Sequence, residues 1–95
     1  MAEIPHVQNP VMKYGRSNGW LVHRMAFIGR RGCPDAWFFK RGTLLIVEFK
    51  APGKKATPQQ IKRHDELRAQ GMRVFVIDSA EAGRKLLDEH DPDAI

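Results

Sequence analysis

The sequence predicts an α/β domain: a small mixed sheet with helices on its faces, in the order α-β-β-β-α-β-α. Three observations predict it. Two apolar runs, Ala36 to Phe39 and Leu44 to Lys50, flank Lys40-Arg41-Gly42-Thr43, which reads as a hairpin. Thr57-Pro58-Gln59-Gln60 then opens a helix that Gly71 closes. The apolar run Met72 to Ile77 follows at once. Strand, helix and strand therefore form a crossover, which is expected to be right-handed and parallel.

Each element has its own signal. Asn9-Pro10 reads as the start of the first helix, with Asn as the cap and Pro at the first helical position. That helix runs through Val11, Met12 and Tyr14, and Gly15 with Ser17-Asn18-Gly19 ends it. Trp20 to Arg24, open to extension as far as Ile28, alternates apolar and polar residues as a strand does. Gly29-Arg30-Arg31-Gly32 is a basic turn, and Ala51 to Ala56 a flexible basic loop. In the second helix Thr57 is the cap, Pro58 the first residue, and Gln60 completes a capping box. Ile61, His64, Leu67 and Arg68 share one face of it. Ser79 caps the last helix, which runs to about Leu87 with Ala82, Leu86 and Leu87 inward.

Ninety-five residues with no linker or repeat are expected to form a single domain, 1–95. A domain of this size buries only about 60–65% of the surface of its unfolded chain, so dimerisation would add stability. The net charge of +5 favours a polyanionic partner. A single cysteine excludes an internal disulfide, and no leader is legible, so a cytoplasmic protein is expected. The uninterrupted apolar stretches, Leu44 to Val47 among them, are far short of a membrane span of about 20 residues.

The chemistry concentrates in Gly32-Cys33-Pro34-Asp35 and Glu48-Phe49-Lys50. Glu48 and Lys50 lie two apart on a strand and point to one side. Two charges beside so apolar a run are costly unless something uses them. Carboxylates suit Mg²⁺ or Mn²⁺, and a lysine suits a phosphate or an attacking hydroxide. Read singly, each residue also has a structural role. Asp35 can cap a turn, Glu48 and Lys50 can pair, and Gln60 can simply cap its helix. Their joint spacing points to a reaction.

Gly32-Cys33-Pro34-Asp35, Glu48-Phe49-Lys50, Thr57-Pro58-Gln59-Gln60, Leu67 and Gly71 ahead of Arg73-Val74-Phe75-Val76-Ile77 resemble the VRR-NUC family. That family is a branch of the PD-(D/E)XK nucleases with a restriction-endonuclease-like core, and the resemblance covers roughly residues 9–87. It implies that Asp35 and Glu48 are metal ligands, joined by the backbone carbonyl of Phe49. It further implies that Lys50 is the catalytic lysine and that Gln60 helps position the attacking water or Lys50. The family often carries an acid in its first helix. Here Glu3 is the upstream candidate, and it falls before the predicted helix.

The activity implied is Mg²⁺- or Mn²⁺-dependent endonucleolytic hydrolysis of DNA in phage or bacterial replication, recombination or repair. No helix-turn-helix or zinc finger is legible, so selectivity is expected to follow DNA shape: branches, flaps or four-way (Holliday) junctions. A homodimer would bring two sites to a two-stranded substrate. The alternatives are a nicking or restriction-like nuclease on duplex DNA, and a non-catalytic basic binding module. Arg30-Arg31 and Lys54-Lys55 flank the acids and are expected to grip phosphates. His6, His64, His90 and Cys33 have no zinc spacing. His23, on the first strand, could face the site and reads as structural.

Overall fold

In the computed structural model, which describes residues 3–94 with side chains from residue 6 onward, every predicted element is present in the predicted order. The elements are α1 (Glu3–Ser17), β1 (Leu21–Arg24), β2 (Ala36–Lys40), β3 (Thr43–Phe49), α2 (Pro58–Ala69), β4 (Arg73–Ile77) and α3 (Ala80–His90). The sheet order is β1-β2-β3-β4. The first two pairings are antiparallel, and β3 with β4 is parallel, as the crossover requires.

The hairpin between β2 and β3 turns on Arg41 and Gly42, both with positive φ (44° and 80°). A two-residue turn of this twist needs that conformation at both positions. Strand alternation sorts the sheet into two faces. Ala36, Phe38, Leu45, Val47, Phe49 and Ile77 join Val7, Val11, Met12, Trp20 and Leu87 in one core under α1 and α3. The helices cross closely there, and a Cβ on Gly83 would run into Val11. Ile46, Glu48 and Val74 are buried on the opposite face, on the side where α2 meets Glu48. No described helix is long and apolar enough to cross a membrane.

The first helix departs from expectation. It does not start at Asn9-Pro10; it begins at Glu3 and carries Pro10 inside it. A proline within a helix costs about 3 kcal/mol by removing a hydrogen bond and crowding the preceding turn. The face formed by Val7, Gln8, Val11 and Met12 is buried, and tertiary packing of this kind outweighs the local penalty. Glu3 thus lies on the helix, while its side chain falls outside the described residues. Gly15 does not end α1 either. It sits where a Cβ would meet the Phe38 ring at 2.9 Å, so it lets helix and sheet approach. The helix ends at Ser17, where Trp20 and Gly19 amides donate to the Gly15 and Arg16 carbonyls. Strand β1 stops at Arg24 and does not reach Ile28.

Candidate active site

Glu48 is the last outward-facing residue of β3 on the α2 side, and it is only 2% exposed. A carboxylate there follows from strand periodicity, but its burial follows from α2. The capping box forms as expected: Gln60 N–H donates to Thr57 Oγ1 (3.2 Å) and Thr57 N–H donates to Gln60 Oε1 (2.9 Å). With its oxygen engaged in the cap, Gln60 turns its Nε2 toward Glu48 Oε2, at 3.3 Å. One turn further along α2, His64 Nε2 lies 3.3 Å from Glu48 Oε1. Sequence reasoning placed His64 on a helix face with Ile61, Leu67 and Arg68 and set it aside as a zinc ligand, without finding its partner. The only available signal was its place on the Gln60 face of a helix that must return across the sheet.

Asp35 arrives from the loop before β2. Its Oδ2 accepts a hydrogen bond from the Phe49 amide at 2.6 Å, which ties it to the end of β3. Its carbonyl accepts from Met25 N–H at 3.1 Å, which prolongs the β1–β2 ladder by one rung. The loop reaches this far because of Gly32, whose φ is +87°. A Cβ there would lie 2.9 Å from Arg63 Cγ and 3.2 Å from the Gln59 carbonyl oxygen. Arg63 secures the same loop by donating through Nε to the Arg31 carbonyl (3.1 Å). Asp35, Glu48 and Gln60 therefore converge, and Lys50 follows one residue after β3.

The electrostatics are unusual for an acid. Burial first, then the hydrogen-bonding and charge of Asp35 beside it, raise the Glu48 carboxyl from 4.5 to about 8; Lys50 opposes this. Burial, with Arg68 and Lys50 nearby, lowers the pKa of His64 and favours the neutral ring. Burial, then Glu48 and Asp35, raise the thiol pKa of half-buried Cys33, which makes it a poor nucleophile.

Two acids this close, with one lysine acting on them, form a donor set for a hard cation. Mg²⁺ is commonly held through one or two carboxylates, with waters and substrate phosphate completing the shell. Among the described residues no group of three or more His, Cys, Asp or Glu side chains is placed to hold a metal ion. Asp35 and Glu48, with the carbonyl of Phe49 next to Glu48 in sequence, suit an open site.

The basic residues divide. Arg30 is turned onto Glu66 at 3.2 Å, and Arg63 reaches the same carboxylate at 2.9 Å. Arg31, Lys54 and Lys55 are exposed. A cleft of about 360 Å³ is lined by Lys54, Lys55, Ile61, His64, Arg68 and Asp78 among others. Asp78 Oδ2 accepts from Gly53 N–H at 3.1 Å, so it holds the lysine-bearing loop against β4. Trp37 is half-buried on the α2 side of the sheet with its Nε1 enclosed and unpaired, packed at an angle to Phe39.

No family model matches the sequence. A protein described as "Putative nuclease p44", from Acyrthosiphon pisum secondary endosymbiont phage 1, is 40% identical over 67 residues, 70% of this chain and 72% of that one. A solved structure described as a VRR_NUC domain protein superposes with a TM-score of 0.75 over 88% of this chain and 84% of its own; at 23% identity it speaks for the fold alone. Another, described as a VRR_NUC domain, superposes with a TM-score of 0.84 at 32% identity and covers 94% of this chain and 97% of its own. With the element order, the parallel β3–β4 pair and sequence identity across nearly the full length all in agreement, the chain belongs to the VRR_NUC family of nuclease domains.

Proposed function

We propose that the protein is a divalent-cation-dependent endodeoxyribonuclease, with Asp35, Glu48 and the Phe49 carbonyl as cation ligands and Lys50 as the catalytic lysine. The observation that carries this reading is the approach of Asp35 to a buried Glu48 whose carboxyl is raised to about 8. Such a pair is costly without a cation and favourable with one.

When bound, Mg²⁺ or Mn²⁺ supplies positive charge for the phosphate and an acidified water. The remaining steps belong to the chain. Lys50 lies two residues along from Glu48, holds the attacking water or helps to deprotonate it, and offsets charge on the pentacoordinate phosphorus. Gln60 steadies Glu48 through Nε2 while its oxygen holds the helix cap. Lys54 and Lys55 on one side and Arg31 on the other take backbone phosphates. Arg30 joins them while shared with Glu66, since both side chains are about half exposed.

Contacts of this kind read the backbone and not base edges, which supports selectivity for DNA shape: a branch, a flap or a four-way junction. The phage origin of the 40% identical relative supports a place in phage replication, recombination or repair. A homodimer would set two such sites on one junction.

A panel of labelled duplex, flap and four-way junction, with Mg²⁺ or Mn²⁺ and with chelator, tests this reading. Cleavage that needs the cation and favours branched DNA is the expected result. Equal cutting of plain duplex would remove shape selectivity, and binding without cutting in either metal would leave a non-catalytic module. Light scattering at micromolar concentration is expected to give the mass of a dimer, and a clean monomer would remove the two-site argument.

A further inference from the structure

His64 is the one buried group at the site that the hydrolytic scheme does not use. It is 1% exposed, and its ring nitrogen Nε2 faces Glu48 Oε1 at 3.3 Å. Gln60, four residues earlier, faces the other oxygen of the same carboxylate, again at 3.3 Å. Residues four apart on a helix stack on one face, so α2 presents two nitrogens, one turn apart, to the two oxygens of one acid. Packing alone does not call for this residue. An aliphatic side chain would fill the space between α2 and the sheet without bringing a polar atom that needs a partner.

We propose that His64 is a positioning residue: it donates an Nε2–H hydrogen bond to Glu48 Oε1 and, with Gln60 on Oε2, fixes the plane in which Glu48 faces a divalent cation. This rests on the metal-site reading given above. A neutral imidazole carrying its hydrogen on Nε2 is a donor there. A carboxylate gripped at both oxygens keeps its remaining lone pairs aimed in one direction. Mg²⁺ tolerates little departure from octahedral geometry, so a carboxylate free to rotate binds it less well. Partners that orient a metal ligand typically change metal affinity by about 10–100-fold when removed.

Calorimetric titration of Mn²⁺ into the DNA-free protein tests this, alongside thermal melts of the same samples. His64→Leu keeps the volume and removes the donor. It is expected to weaken Mn²⁺ binding by about 10–100-fold while the protein stays folded and melts no lower than wild type. His64→Gln places an amide nitrogen near the Nε2 position and is expected to recover most of that loss. Wild-type Mn²⁺ affinity in His64→Leu would overturn the inference and leave the metal site standing. A loss that His64→Gln does not repair would also overturn it, since shape and not the donor would then matter. Should His64→Leu not fold, His64→Gln decides alone: near-wild-type affinity supports the role, and a tenfold loss in the folded variant overturns it. A wild type that takes up no Mn²⁺ would sink the functional reading itself, and this inference with it.

Discussion

At the hairpin end of the sheet, Lys40 lies 2.9 Å from Asp91 and 3.5 Å from Asp93, while Arg41 lies 2.7 Å from Asp93. At the other end, Asp35 and Glu48 lie against each other, with Lys50 the cation that acts on Glu48. The two ends perturb their carboxyls in opposite directions. The Lys40 hydrogen bond lowers the Asp91 pKa, and Asp91 in turn raises that of Lys40. Burial and Asp35 raise that of Glu48. The hairpin end is a finished ion-pair network that closes the C-terminal segment onto the turn. A hollow of about 590 Å³ opens beside it, but its charges already satisfy one another. The carboxylate end leaves its acids unbalanced by the chain's own charges, the electrostatic setting typical of functional sites.

The largest break in this comparison comes from the two cations. Lys50→Ala is expected to lower the rate of metal-dependent cleavage by about 10²–10³-fold, the usual cost of removing one transition-state donor. Arg41→Ala, at the hairpin end, is expected to leave the rate unchanged. Cleavage kinetics at saturating Mg²⁺ read both. Equal effects would mean that Lys50 acts only through general charge.

Two glycines sharpen it next. Gly32 and Gly42 both have φ near +80°, so alanine at either costs about 1–2 kcal/mol of backbone strain. At Gly42 a Cβ meets nothing within 4 Å, whereas at Gly32 it meets Arg63 and the Gln59 carbonyl. Overpacking adds about 1–3 kcal/mol at Gly32 and dislodges the loop that carries Asp35. Denaturant melts should therefore rank Gly32→Ala well below Gly42→Ala, and only Gly32→Ala should lose cleavage.

The pH dependence of the metal-free protein separates the ends by sign. The Glu48 carboxyl has a folded pKa of about 8 against an ordinary 4.5, so the folded state holds the extra proton between those values. Unfolding free energy then falls as pH rises from about 4.5 to about 8, and levels off above. The Asp91 carboxyl is lowered from 3.8, so its contribution is present above 3.8 and is lost as pH falls through the folded value. Thermal melts against pH should show Glu48→Gln flattening the first slope and Asp91→Asn flattening only the acid limb. The smallest effect expected is that of Asp91→Asn near neutral pH: a slight drop in melting temperature that salt reduces in the wild type, with no change in cleavage.

The two ends also differ in how far the sequence disclosed them. Strand periodicity, the Arg41-Gly42 turn and the Thr57-Pro58 cap are local signals, and they placed β2, β3 and α2 to within a residue or two. The acids were legible because Asp35, Glu48 and Lys50 are spaced along adjoining strands. His64 was not, because its partner lies 16 residues away and is reached only when α2 folds back over the sheet. Arg30 was read as a free phosphate ligand, and its contact with Glu66 depends on the same docking. The start of α1 was misplaced because Asn9-Pro10 is a strong local start signal, while the burial of Val7 and Gln8 that extends the helix past it is tertiary. The Lys40–Asp91 network joins residues 51 positions apart and had no sequence signature at all.

The most direct test of the central claim is the melting temperature of DNA-free protein at pH 8, with and without saturating Mn²⁺, for wild type and Glu48→Gln. A ligand at 100 times its dissociation constant stabilises the folded state by about 2.7 kcal/mol. The wild type should therefore melt several degrees higher with Mn²⁺, and Glu48→Gln should not respond. A wild-type melting temperature that Mn²⁺ leaves unmoved would contradict the claim that Asp35 and Glu48 form a cation site.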